Sequence, residues 1–311
     1  NNSKTSQHEA MASLIDPSTI FRVDGLVAVI TGGGSGIGLT MARALAFSGA
    51  RKVYILGRRL EVLQKAAEEH RSLVPQQCDV TSKEDLQSAV DRITTEEGYV
   101  NLVIANSGII GPPARYNPTA SLSELRQTLF TDFSMDEMND TLHLNITAAF
   151  FTMTAFLELL DAGNRNALQG GFGKPITEGS NVPSIQSQVI FTTSISAFSR
   201  HHSSSPPYLA SKTAIMQVAK HASTQLARFG IRVNALAPGI YPSDLASVLT
   251  QDRKPEEETC DDQRFIPARR FGGDEEMAGA ILYLASRAGS FTNGAVHVTD
   301  GGRLSVITGS Y

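Results

Sequence analysis

Leu26-Val27-Ala28-Val29-Ile30, followed directly by Thr31-Gly32-Gly33-Gly34-Ser35-Gly36-Ile37-Gly38, decides how the rest of the chain is arranged. Apolar residues in a row, without alternation, mark a strand buried on both faces, as in a parallel sheet. After the glycines, Ile37, Met41, Ala44, Leu45 and Ser48 fall along one side of a helix. Gly49 closes that helix, and Lys52-Val53-Tyr54-Ile55-Leu56 reads as a second strand. Strand, helix and strand fit within ~30 residues, the setting in which a glycine-rich turn holds a dinucleotide. There the backbone approaches a pyrophosphate, and the helix N-terminus supplies N–H donors and a positive dipole end. The spacing of Gly32, Gly36 and Gly38 departs from GxGxxG, so their place between strand and helix carries the assignment.

Working outward, strand and helix keep alternating. A helix is expected over Leu60 to His70, a third strand over Val74 to Cys78, and an amphipathic helix over Lys83 to Glu97 behind a Thr81 or Ser82 cap. Leu102-Val103-Ile104-Ala105 is the fourth strand, followed by a loop with Pro112, Pro113 and Pro118 and a long helix from Ser134 to Leu160. Val189 to Thr193, Ile231 to Leu236 and Ala295 to Val298 complete seven strands, with a helix over Glu275 to Ser286 before the last. The expected fold is α/β: a single doubly wound Rossmann-type domain with a seven-stranded parallel sheet. It spans residues 21–311 behind a flexible extension over 1–20, in which Met11 is a candidate natural start. The Gly/Asn/Ser/Gln-rich stretch 161–188 reads as an exposed insertion, and 240–266 as a flap whose acidic part, Asp252 to Asp262, is mobile.

The chain has 311 residues, 41% of them hydrophobic and 19% charged, enough for a substantial core. A net charge of −4 argues against a nucleic-acid surface, which needs basic patches. No apolar run approaches the ~20 residues of a membrane span. Cys78 and Cys260 belong to no CxxC pattern and read as reduced thiols of an intracellular, cytoplasmic protein. His201-His202 lacks partnering ligands, so no metal is expected.

Chemistry is carried by Tyr208-Leu209-Ala210-Ser211-Lys212. Positions i and i+4 of a helix share a face, so a phenol sits beside an ammonium that favours its ionised form. Ser194 stands at a strand end, 14 residues upstream. Which nucleotide is bound turns on the end of the second strand, where an NAD site places an acidic residue. Here it reads Gly57-Arg58-Arg59, without a carboxylate, and a guanidinium suits a 2′-phosphate. NADP(H) is therefore expected, with Arg58 the better placed of the two.

The glycine segment, Asn106-Ser107-Gly108, Asn145, Ser194, Tyr208-x-x-x-Lys212, Pro238-Gly239 and Asp300-Gly301-Gly302 occur in the order of the short-chain dehydrogenase/reductase family. The chain resembles that family from about residue 23 to 303, and fungal members in particular. The resemblance implies that Tyr208 is the general acid for carbonyl reduction and the base for alcohol oxidation. It implies that Lys212 lowers the phenol's pKa and holds the nicotinamide ribose, that Ser194 hydrogen-bonds the substrate carbonyl, and that Asn145 anchors a proton-relaying water. Cofactor contacts follow at Gly32, Ser35, Gly36, Ile37 and Gly38, at Asp79 and Val80 beside the adenine, and at Asn106, Ser107 and Gly108. Pro238, Gly239, Ile240 and Ser243 would cradle the nicotinamide end.

Departures from the family pattern are Ser107 in place of Ala, one extra residue between Ser194 and Tyr208, and Pro242 at the start of the flap. The extra residue makes Ser196 a rival to Ser194, which is preferred because it directly follows the strand. Ile109, Ile110, Ser196, Phe198, Tyr241 and the 244–265 flap should wall the pocket. That wall suits a hydrophobic 3-oxoacyl, polyketide or terpenoid ketone of secondary metabolism. A sugar or polyol dehydrogenase, with Arg200, His201 and His202 at the mouth, stays open, as do a nucleotide-sensing module and a non-redox enzyme on the same fold. Family habit implies a homodimer or homotetramer.

Overall fold

Apolar runs become the strands of one parallel sheet in a computed structural model that describes residues 15–310. The strands are β1 (Val27–Thr31), β2 (Lys52–Gly57), β3 (Leu73–Gln77), β4 (Leu102–Ala105), β5 (Gln188–Thr192), β6 (Arg232–Pro238) and β7 (Val296–Thr299). Their order is β3-β2-β1-β4-β5-β6-β7, so the chain leaves β1 in one direction and returns beside it at β4. At such a reversal the loops at the carboxyl ends of the strands diverge and open a crevice.

Alternate residues of each strand feed two cores. Val27 and Val29 of β1 face one side with Tyr54, Phe191 and Val233; Ala28 and Ile30 face the other with Val53, Ile55 and Leu236. The helices Lys83–Glu96 and Pro206–Gln225 cover the first face through Leu86, Ile93, Ile215 and Ala219. Gly36–Phe47, Leu60–Ala67 and Asp274–Ala285 cover the second through Met41, Leu45, Leu63, Ile281 and Leu284. Burial from both sides is why the strands read as unbroken apolar runs.

The expected helix from Ser134 to Leu160 is instead three helices and a π-helical turn. Met135–Leu142 passes through π-helical His143–Ala148 into Ala149–Ala155, and a 44° bend leads into Leu157–Leu168. Helix thus occupies the first eight positions of the expected insertion, leaving 169–187 as the loop. Composition misled because the residues that read as a turn here serve packing. Gly163 lies where a Cβ would stand 2.2 Å from the Val100 carbonyl oxygen. Buried Asn164 donates to Gly230 O at 2.9 Å and accepts from Ser187 N at 2.8 Å.

Within the expected extension, Pro17–Ile20 forms one helical turn capped by Asp16; Met11 lies outside the described residues. Two short elements unforeseen in the proline loop, Leu122–Arg126 and π-helical Gln127–Thr131, start at a Ser121/Glu124 capping box.

The flap carries its own set of arginine contacts. Buried Arg253 and Glu258 pair at 2.8 Å, and Arg253 also donates to Arg264 O at 2.8 Å. Arg303 donates to Phe265 O at 2.8 Å and to Gln263 O. Arginine forks satisfy carbonyls that a structureless acidic loop would leave to water.

Candidate active site

β1 delivers its chain into a turn that has no room for side chains. Gly32 (φ +65°) and Gly36 (φ +52°) adopt the left-handed region that glycine alone occupies cheaply. A Cβ at Gly38 would lie 2.2 Å from the Gly32 carbonyl oxygen, so the first helical turn sits directly on the loop before it. Ser35 occupies the N-cap of Gly36–Phe47 without a side-chain cap, which leaves the first-turn N–H groups to an outside acceptor. Thr31 Oγ1 accepts from Asn106 N at 3.0 Å and Ser107 N at 3.1 Å. Asn106 in turn donates to Thr31 O at 3.1 Å and accepts from Thr192 Oγ1 at 3.1 Å, tying the ends of β1, β4 and β5 together.

Two connected hollows flank this turn. The outer one, about 870 Å³, is lined by Ser35, Arg58, Arg59, Asp79, Val80 and Ser107, among others. Two hydrogen bonds from Thr81 hold the Asp79 carboxyl below its ordinary range, helped by the charges of Arg58 and His143. The inner one, about 350 Å³, is lined by Gly36, Ile37, Gly38, Asn106, Ser194, Tyr208 and Lys212, and by Pro238, Gly239, Ile240 and Ser243. Gly32, Ser35, Ser107, Gly108 and Ile109 border both. All the residues named from sequence for the cofactor therefore line one continuous groove.

Pro206 and Pro207 open the helix that carries Tyr208 and Lys212, their fixed φ suiting its first turn. The Tyr208 phenol faces the Ser194 hydroxyl, whose Oγ accepts from Ser196 N at 3.1 Å. Of the two rival serines, Ser194 is the one that bears on the phenol. Lys212 Nζ lies 5.6 Å from the centre of the Tyr208 ring and donates to Thr192 O at 2.9 Å.

The electrostatics differ from the expectation that the ammonium pulls the phenol down. Burial raises the Tyr208 pKa, and the Ser194 hydroxyl only partly opposes it. Burial also brings Lys212 from 10.5 down to about 8. With Nζ turned to a strand carbonyl, desolvation outweighs the attraction between the two groups.

Asn145 is buried in the π-helical turn and lines neither hollow. Its Oδ1 accepts from Ile109 N at 2.9 Å, and its Nδ2 donates to Ile109 O and Ser211 Oγ, each at 2.9 Å. The amide clamps the loop after β4 to the Tyr208 helix through these three bonds.

Of the anticipated pocket wall, Ile109, Ile110, Ser196 and Tyr241 line the inner hollow, with Asp244, Leu245, Ala246 and Leu249 from the flap. Phe198 and flap positions 250–265 do not. The carbonyl of Phe198 instead accepts from Ser310 N at 2.6 Å, and Arg200 N donates to Thr308 O at 2.7 Å. This pairing draws the end of the chain against the site and adds Ile307 to its wall. His201 lines the hollow; Arg200 and His202 do not. Arg115, Arg303 and Ser203 to Ser205 also line it, and none of them stands in a motif that could have announced it.

Residues 26–168 match the sequence pattern described as short chain dehydrogenase, and 176–303 the one described as enoyl-(acyl carrier protein) reductase. A short-chain dehydrogenase/reductase of Stachybotrys chartarum, SAT3, is 59% identical over 87% of this chain and 100% of its own. The chain belongs to the short-chain dehydrogenase/reductase family. PhomF, a short-chain dehydrogenase/reductase of Diaporthe leptostromiformis, is 45% identical over 97% of this chain and 100% of its own. Among solved structures, a gluconate 5-dehydrogenase of Burkholderia cenocepacia in complex with NADP and tartrate superposes with a TM-score of 0.72. The two are 26% identical, over 93% of this chain and 99% of that one.

This short-chain dehydrogenase/reductase is thus an oxidoreductase by family, with the Rossmann-type sheet that its sequence led us to expect. Cys78 and Cys260 are free thiols, and burial pushes Cys78 up to about 12. Among the described residues, no group of three or more His, Cys, Asp or Glu could hold a metal ion, and no single helix is long and apolar enough to cross a membrane.

Proposed function

We propose that this family member is an NADP(H)-dependent ketone reductase, or the corresponding secondary-alcohol dehydrogenase, with Tyr208 as general acid or base. The observation that carries the reading is the Ser194–Tyr208 hydroxyl pair beside the Lys212 ammonium, on the wall of a groove that continues to Arg58 and Arg59. The groove fits the dinucleotide: uncapped helix N–H groups suit the pyrophosphate, and two guanidiniums with no carboxylate in Gly57-Arg58-Arg59 suit a 2′-phosphate. The NADP complex of the Burkholderia relative supports the same choice.

Bound NADPH would supply the hydride. Ser194 holds the substrate carbonyl oxygen, and Tyr208 transfers its hydroxyl proton to that oxygen as the carbonyl carbon becomes tetrahedral. The upward displacement of the phenol keeps it protonated, the form that reduction requires. Lys212 would hold the nicotinamide ribose, and Asn145 acts by fixing the Ile109 loop against the Tyr208 helix. Ile109, Ile110, Leu245, Leu249 and Ile307 favour a substrate with an apolar body, such as an acyl, polyketide or terpenoid ketone. A sugar or polyol substrate is a second reading, favoured by the likeness to the Burkholderia gluconate 5-dehydrogenase in complex with NADP and tartrate. The proposal includes a homodimer or homotetramer working in the cytoplasm.

The test is NADPH consumption over a panel of ketones and sugar ketones, beside Tyr208→Phe. The variant should lose about 10³-fold in kcat while binding NADPH unchanged. Turnover undiminished in the variant would remove Tyr208 from the reaction. A preference for NADH would overturn only the role given to Arg58.

A further inference from the structure

Arg115, in the wall of the inner hollow, is a charge without a partner among the described residues. It lies seven residues beyond Gly108, on the loop that follows β4. Its Nε is shielded from solvent and makes no hydrogen bond, and among the described residues Arg115 enters no ion pair. A guanidinium keeps its charge at any physiological pH, and a buried donor left unsatisfied is costly. The other cations on this wall are already committed. Lys212 donates to Thr192 O, and Arg303 to Phe265 O and Gln263 O.

Nearby hydroxyls are spent too. Ser205 donates to Pro112 O at 3.0 Å, Ser204 to Ser199 at 3.2 Å, and Ser203 pairs with His201 Nδ1 at 2.7 Å. Asp244 is the one carboxylate among the described lining residues, and it forms no ion pair with Arg115. The hollow therefore offers an apolar side, from Ile109, Ile110, Leu245, Leu249 and Ile307, and one uncommitted planar cation.

We propose that Arg115 determines specificity by receiving a carboxylate carried by the ketone substrate, so that the preferred substrates are keto acids with an apolar body. The inference rests on the ketone-reductase reading above. Reduction leaves the carboxylate unchanged: carbonyl carbon gains hydride, carbonyl oxygen gains the Tyr208 proton, and the carboxylate serves only to position the molecule. A guanidinium fork binds a carboxylate through two parallel N–H donors, which fixes orientation as well as strength.

The experiment uses the full chain with NADPH and three keto acids of different span: levulinate, 3-acetylbenzoate and 4-acetylbenzoate, each beside its methyl ester. Wild type should prefer at least one acid over its ester by about 10-fold or more in kcat/KM. Arg115→Gln should raise KM for that acid by about 10- to 100-fold while leaving the ester and kcat nearly unchanged. Arg115→Lys should recover part of the loss. Binding of the same acids to the NADP+ complex, followed by calorimetry, supplies a readout independent of turnover. Acids and esters reduced equally, or acid and ester equally impaired in Arg115→Gln, would overturn Arg115 while leaving the reductase reading intact. Acid binding that depends on Arg115 without reduction of any ketone would overturn the reductase reading and leave the carboxylate site. No acid binding and no preference would overturn the carboxylate site outright.

Discussion

The nucleotide side of the groove and its substrate side are built on different principles. Around Gly32 to Gly38 the backbone packs on itself: Gly33 has no space for a Cβ beside Ile55, and Gly38 none beside the Gly32 carbonyl. Asn106 and Thr31 then lock three strand ends with backbone-directed hydrogen bonds. On the substrate side the wall consists of loops from distant parts of the chain, 109–115, 195–205, 240–249 and 303–307. Those loops are held by side chains reaching carbonyls, as Arg253 does to Leu249 and Arg264 and Arg303 to Phe265. The first construction fixes one ligand shape; the second can change its lining without moving the sheet.

The rigid side should suffer most from a single substitution. Gly38→Val forces a side chain into a backbone carbonyl that cannot yield, and should cost ~3 kcal/mol or more of stability along with NADPH binding. Urea denaturation and a titration of NADPH fluorescence measure both, and a variant that melts like wild type would show that the turn can open. Damage from Arg115→Gln, by contrast, should stay confined to the choice of substrate.

Lys212 joins the two sides and makes the site respond to pH. Its pKa falls from 10.5 to about 8 because burial disfavours the ammonium, so the folded state holds this proton less tightly than the unfolded chain. The penalty, on the order of 3 kcal/mol before its hydrogen bond to Thr192 offsets part of it, applies fully below about pH 8. It fades as pH rises towards 10.5, where the unfolded lysine also loses its proton. Lys212→Met should therefore lower kcat by about 10²-fold or more, yet be the more stable protein near neutral pH, with the advantage shrinking under alkali. Urea midpoints at several pH values read the sign; a variant less stable throughout would mean that the Thr192 bond outweighs desolvation.

The smallest effect belongs to Arg58, at the solvent edge of the outer hollow. Arg58→Ala should raise KM for NADPH about 10-fold and leave NADH unchanged. An equal change for both cofactors would remove the 2′-phosphate from its role.

The features legible in the sequence have local causes. Unbroken apolar runs forced buried parallel strands, glycines forced the turn after β1, and the four-residue step from Tyr208 to Lys212 put both side chains on one helix face. Helix boundaries went astray where Gly163 and Asn164 looked like a turn but serve close packing and a buried hydrogen-bond network. The rest was decided only by tertiary structure. Whether Ser194 or Ser196 meets Tyr208 depended on the path of one irregular loop, and the direction of the phenol's shift on how deeply the helix is buried. Arg115, Arg303 and Ile307 reach the site across long stretches of sequence and belong to no spacing pattern, because a pocket wall is a coincidence of loop ends in space. Periodicity records the neighbours a residue has along its own element; burial and charge pairing depend on neighbours that arrive from elsewhere in the chain.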